Sequence, residues 1–208
     1  MAFNKYASYT SAFNGLKSDV SLLRAFARGD AYAFESLYHR YKDQLFNHLC
    51  NQLGTHAEKL AAAEEIAQEV WMAIISGADN FEERQVEGRS SFCAWLFSIA
   101  HRRLADFWRQ QYKHQSEQET RDSRQFETEQ VTDLINSAPC LETSRLLQEL
   151  ERGLCTLPEE QRQTFLLRQE GFSYKEIADI AETGVETVKS RLRYSKQSLQ
   201  KLLEDSHD

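Results

Sequence analysis

Apolar residues recur along most of this chain at steps of three and four, the period of a helix buried on one side. Leu22, Leu23 and Phe26 form one such stripe, and Phe34, Leu37, Tyr38, Tyr41, Leu45 and Leu49 form a second. Gly29-Asp30 interrupts them, with Asp30 placed to cap the second helix. Between His56 and Ser76, Leu60, Ala63, Ile66, Ala67, Val70 and Ile74 mark an inner face. Gly77 to Arg89 clusters Gly, Asp and Asn and reads as a loop. From Ser90 to Lys113 the inward set is Phe92, Trp95, Leu96, Ile99, Leu104 and Phe107. Leu146, Leu150 and Leu154, then Phe165 and Leu166, resume the period after a polar interval.

The last stretch, Ser173 to Leu199, carries two short stripes. Ile177, Ala178 and Ile180 form one, and Val185, Val188, Leu192 and Leu199 form the other. Ser173 with Glu176, Thr183 with Glu186, and upstream Thr156 with Glu159 each fit the capping box that opens a helix. Pro158 falls in the first turn of the upstream helix, and Gly171 is placed to end it. Two short helices around a tight bend describe a helix-turn-helix. The second helix turns Thr187, Lys189, Ser190, Arg191, Arg193, Ser195, Lys196 and Lys201 outward. Cations of this kind pair with phosphates or guanine edges, and small hydroxyls approach either closely. A basic solvated helix would show the same composition, but not the capped helix before it.

Composition narrows the class. The 208 residues include 41% hydrophobic and 27% charged residues, enough for one domain or two small ones with real cores. Two prolines and eight glycines favour long helices over sandwiches and barrels. No stretch approaches the ~20 consecutive apolar residues of a membrane span, so direct membrane insertion is not expected. The amino terminus lacks the apolar core of a secretory signal. Cys50, Cys93, Cys140 and Cys155 form no CxxC pair and read as free thiols. His48, Cys50 and His56 lie close enough in sequence to suggest a metal site, but His48 and Cys50, two apart, point to different sides of a helix, so none is expected. No phosphate loop, GxSxG or HExxH is present, and neither catalysis nor a cofactor is expected.

Two surfaces allow competing readings. Glu64, Glu65, Gln68, Glu69 and Met72 lie on or beside an outer face that is either solvated or a docking surface. His101, Arg102, Arg103, Arg109 and Lys113, with Trp108 and Tyr112 among them, form either a basic solvent face or a groove for single-stranded DNA. In such a groove cations follow phosphates and rings stack bases. His114 to Glu142 is rich in Gln, Glu and Ser and is a linker by composition.

Four segments in order carry a family resemblance: RGDxxAFxxLYxRY, EEIAQEVW, GRSSFCAWLFSIAHRRLADFWRQ, and LPEEQRQTFLLRQEGFSYKEIA with TVKSRL. Together they resemble a bacterial σ factor of the extracytoplasmic-function (ECF) type over about residues 19 to 203. The resemblance implies an all-α protein of two small helical domains. It divides the chain into an arm (1–18), a σ2-like domain (19–113), an acidic flexible linker (114–142) and a σ4-like helix-turn-helix domain (143–208). It also implies that Glu65, Gln68, Glu69 and Trp71 dock on core RNA polymerase, with Trp71 as an aromatic anchor. Asn80, Phe81, Arg89, Ser90, His101, Arg102 and Arg109 would capture and hold the opened minus-ten promoter DNA. Thr187, Lys189, Ser190, Arg191 and Arg193 would read the minus-thirty-five element. An anti-σ factor would be a further partner.

The sequence departs from the family pattern in places. Glu182 and Gly184 stand where Gly and Pro are common, Glu186 where Gly is common, and His101 where Arg or Asn is common. Two rival readings follow from the same residues. One is a LuxR-like helix-turn-helix regulator that binds duplex DNA without polymerase, and the other is a σ mimic that titrates an anti-σ factor.

Overall fold

The structure is a computed structural model that describes residues 17–53, 57–83, 90–119, 150 and 152–205. The arm up to residue 16, His56, Arg89 and residues 120–149, with Cys140 and Leu146 among them, lie outside the described residues. All regular structure among the described residues is helical. Helices α1 (Asp19–Ala27), α2 (Ala31–Leu53), α3 (Ala57–Gly77) and α4 (Ser91–Glu119) form an amino-terminal module, with a 3-10 turn at Ala78–Asn80. A short helical turn at 152–156, then α5 (Glu159–Gln169), α6 (Tyr174–Ile180) and α7 (Val185–Asp205), form a carboxy-terminal one.

The stripes become the core. Leu37, Leu45 and Leu49 of α2 pack with Val70 and Ile74 of α3 and with Phe92, Leu96 and Leu104 of α4, all fully buried. Each such side chain contributes about 1.5–3 kcal/mol by leaving water. The chain reverses between α1 and α2 at Gly29, whose φ of 97° costs a glycine little. Asp30 Oδ1 then accepts from the Tyr32 amide at 3.1 Å, capping α2.

One polar knot ties three parts of this module together. Asp19 is 7% exposed. Its carboxylate accepts from Arg40, from the Tyr41 hydroxyl at 2.5 Å, and from the Ser90 hydroxyl. Burial, then the bond to Asp19, raises the Tyr41 phenol well above its usual pKa. Ser90 Oγ also accepts from the Cys93 amide at 3.1 Å, so Ser90 caps α4.

Several details differ from the sequence expectation. Helix α4 continues six residues beyond Lys113, into the stretch assigned to the linker. Thr156 and Glu159 do not form a capping box. Pro158 is the N-cap of α5, and the Thr156 hydroxyl instead donates to the Gly153 carbonyl at 2.8 Å, closing the turn before it. Leu60 is more than a third exposed, at the start of the α3 stripe.

The two modules pack against each other. Phe97 of α4 and Phe172, between α5 and α6, are both buried, with ring centroids 5.1 Å apart. Gln44 Nε2 of α2 donates to Glu170 Oε2 at 2.6 Å, and the Arg162 guanidinium lies 5.5 Å from the Trp108 ring centroid. The buried cluster therefore runs from Leu22 in α1 to Leu192 in α7 without a break.

Candidate nucleic-acid interface

The helix-turn-helix is built by matched end signals. Gly171, at φ 91°, ends α5. Its amide donates to the Arg168 carbonyl at 3.0 Å and the Phe172 amide to the Leu167 carbonyl at 3.2 Å, the paired bonds of a Schellman motif. Ser173 and Glu176 form the expected capping box: the Glu176 amide donates to Ser173 Oγ at 3.2 Å, and the Ser173 amide donates to Glu176 Oε2 at 2.7 Å. Helix α6 closes with a second Schellman bond, from the Thr183 amide to the Ala178 carbonyl at 2.9 Å. That motif places Glu182 at φ 49°.

Thr183 and Glu186 do not repeat the box. Gly184 directly precedes the first helical residue, Val185, and Glu186 accepts from Lys189 at 2.7 Å. The Glu186 hydrogen bond, then its charge, raises the Lys189 pKa and keeps it protonated.

Helix α7 buries Val188, Leu192, Ser195 and Leu199. Ser195 therefore faces inward, against expectation. It is 0% exposed, and its hydroxyl donates to the Arg191 carbonyl at 2.7 Å and the Gln161 carbonyl at 3.1 Å. A serine here lets α5 and α7 approach closely. Thr187, Lys189, Ser190 and Arg193 are exposed on α7. Arg193 lies over the Tyr194 ring, 4.9 Å from its centroid. Arg191 is turned back instead: its side chain is 20% exposed and pairs with Glu160.

On α4, Arg102 and Arg109 are exposed, and Arg103 is half-buried with Nε 3.4 Å from Glu69. Arg109 pairs with Asp106 at 2.8 Å. His101 is half-buried; burial lowers its pKa, the Glu182 carboxylate opposes that shift, and Arg191 and Arg102 add to it. At neutral pH it is an uncharged donor and acceptor rather than the cation an arginine would supply.

Asn80 and Phe81 flank the start of α4, with the Phe81 ring 5.0 Å from that of Trp95. They line a cavity of about 430 Å³ together with Trp95, Arg102 and, from α6, Lys175 and Asp179. Ser90 is committed to the Asp19 knot and to the α4 cap, so its hydroxyl serves the fold first. Arg89 lies outside the described residues.

On α3, Glu65, Gln68 and Glu69 are exposed as expected. Trp71 is not on that face. It is 7% exposed, with ring centroids 5.8 Å from Phe34 and 5.1 Å from Tyr38, because α2 crosses over it. The apolar part of the outer face is Met72, 61% exposed, and Ile75, 41% exposed. Steps of four and three from Gln68 reach both, a signal available in the sequence.

No described helix is long and apolar enough to cross a membrane, and no group of three or more His, Cys, Asp or Glu among the described residues is placed to hold a metal ion.

Residues 17–205 match the family model described as ECF sigma factor. The chain is 26% identical over 179 residues to RNA polymerase sigma factor YlaC of Bacillus subtilis, covering 85% of this chain and 95% of that one. It is 26% identical over 186 residues to the ECF RNA polymerase sigma-E factor of Escherichia coli K12, covering 88% and 92%. Its fold resembles the sigma factor RpoE of Bartonella quintana, solved with the anti-sigma factor NepR, at TM-score 0.60 and 25% identity over 82% of this chain and 96% of that one. It also resembles CnrH, solved with the cytosolic domain of CnrY, at TM-score 0.62 and 20% identity over 91% and 99%. A match spanning nearly the whole chain, on top of a capped helix-turn-helix and a second helical module in the same order, places this protein in the ECF sigma factor family.

Proposed function

We propose that this σ factor divides promoter recognition between its modules, without catalysis of its own, in the cytoplasm. Helix α3 docks on core polymerase through Glu65, Gln68 and Glu69, with Met72 and Ile75 as the apolar part of the contact. Asn80, Phe81, His101, Arg102 and Arg109 hold the opened minus-ten strand. Thr187, Lys189, Ser190 and Arg193 meet the major groove at minus thirty-five, and Arg191 joins them once released from Glu160. An anti-σ factor that covers these faces is the expected inhibitor, as the partner in the RpoE complex suggests.

The observation that carries this reading is the α6–α7 unit. Its capping box is complete, its bend is tight, and its second helix exposes Thr187, Lys189, Ser190 and Arg193 together. A net charge of −7 gives the free chain little pull on DNA and leaves that role to polymerase. A LuxR-like regulator would need no strand-holding face on a second module, and the exposed Arg102 and Arg109 of α4 support reading one there.

The test is transcription from a dependent promoter with purified core polymerase. Lys189→Ala and Arg191→Ala are each expected to lower it about tenfold, the loss of one good base or phosphate contact, while binding to core polymerase is retained. Normal transcription by both variants would remove α7 as the recognition helix.

A further inference from the structure

The outward side of α7 carries one residue of the wrong sign for DNA. Glu186 is the second residue of the helix, two positions before the fully buried Val188 and therefore turned to the opposite side. Steps of three, four and seven from it reach Lys189, Ser190 and Arg193, all exposed. The Glu186 side chain is itself 84% exposed, and its Oε1 accepts from Lys189 Nζ at 2.7 Å. Gly184, directly before the helix, has no side chain to keep a partner at a distance. The first residues of a recognition helix are the ones that reach base edges.

A carboxylate in the first turn favours the helix dipole. On a helix that enters DNA it also brings negative charge among phosphates, which repel it. That repulsion is offset where the carboxylate meets a donor. The major groove offers two, the N4 amine of cytosine and the N6 amine of adenine. Adenine sets its N7 acceptor beside N6, against the carboxylate, and cytosine has no such neighbour in the groove.

Lys189 sharpens the choice. In a C·G pair the guanine O6 lies about 2.9 Å from the cytosine N4, the length of the hydrogen bond that joins them. Glu186 and Lys189 present an acceptor and a donor 2.7 Å apart, the complement of that edge. Guanine N7 gives the ammonium a second acceptor, whereas in an A·T pair the thymine methyl group crowds O4.

We infer that Glu186 is a specificity-determining residue: with Lys189 it reads one C·G pair of the minus-thirty-five element, the carboxylate accepting from cytosine N4 and the ammonium donating to guanine O6 and N7. This rests on reading α7 as the recognition helix. The two side chains are already paired before DNA arrives, so little is lost in ordering them on binding. Thymine in place of the cytosine sets its O4 against the carboxylate and is rejected.

The test uses core polymerase with the full chain on a barcoded library of one dependent promoter, its minus-thirty-five element randomised and its minus-ten element kept. Transcripts per template, counted by sequencing, give the base preference at each position. The unaltered chain is expected to favour cytosine over thymine at least about fivefold at one position. Glu186→Ala should flatten that position and leave the others. Glu186→Gln, whose amide pairs with adenine N6 and N7, should move the same position from cytosine to adenine. Glu35→Gln, equal in charge change and on α2, should alter no position. Three results would overturn the Glu186 assignment while preferences elsewhere in the element keep α7 as the recognition helix. They are no cytosine preference in the unaltered chain, an unchanged profile in both Glu186 variants, and a loss spread evenly over every position, as a misplaced helix would give. No base preference at any position of the element would overturn the reading of α7 and the Glu186 assignment with it.

Discussion

Replacing Asp19 by Ala removes the acceptor shared by Arg40, Tyr41 and Ser90. The three partners do not lose equally. Arg40 is one-third exposed and can turn to water, and its Nη1 already lies 3.4 Å from the Lys17 carbonyl. Its loss is therefore small. Tyr41 is 8% exposed and Ser90 is half-buried, so both hydroxyls lose a charged acceptor where water does not easily replace it. A hydrogen bond to a charged group is worth about 1.5–3 kcal/mol. The two hydroxyls stand 3.4 Å apart and recover part of this by bonding each other. The net cost is thus about 2–4 kcal/mol, a large share of the ~5–15 kcal/mol that holds a typical protein folded.

Asp19→Asn keeps the shape and one carbonyl acceptor and should cost about half as much. Urea unfolding followed by far-UV circular dichroism reads both. With an m-value near 2 kcal/mol per molar, Asp19→Ala should lower the midpoint by about 1–2 M. A shift below about 0.3 M, or an Asn variant as damaged as the Ala variant, would refute the claim that this carboxylate joins α1, α2 and the start of α4.

Two further outcomes are expected. Burial, and then the nearby His101, holds the His48 pKa at about 3 against its ordinary 6.5, so its contribution to stability is complete above pH 6.5 and falls as the pH drops toward 3. The unfolded chain alone takes up that proton in this window, which predicts a loss of about 2 kcal/mol at pH 5 in urea titrations that a neutral replacement, His48→Gln, does not show. Changing Gln68 and Glu69 together to Ala should weaken binding to core polymerase at least about tenfold in a pull-down, and unchanged affinity would return that face of α3 to a solvated surface.

The helices were legible because most of the buried positions keep the three-four period: Leu37, Tyr41, Leu45 and Leu49 are buried as their spacing requires. The Ser173–Glu176 box and the Gly171 stop were legible because both are local chemistry, set within one turn. Local pattern misled where a neighbour took the cap. Pro158 already serves α5, which leaves Thr156 to the preceding turn, and Gly184 directly precedes α7.

Ser195 looked like an outward hydroxyl by residue type. Its spacing between Leu192 and Leu199 put it inside, and spacing prevailed. Trp71 is buried because α2 crosses over α3 at Phe34 and Tyr38, and a helix crossing is not written in either helix alone. The packing of the modules was not legible for the same reason. Nothing local pairs Phe97 with Phe172, or Arg102 with Glu182, across the long polar stretch between them.

The most direct test is start-site mapping in vitro: core polymerase with and without the purified chain on fragmented genomic DNA from the same source, with the 5′ ends of transcripts sequenced. A discrete set of starts that requires the chain, sharing one sequence near minus ten and another near minus thirty-five, is the predicted result. An identical set of transcripts with and without the chain would contradict it.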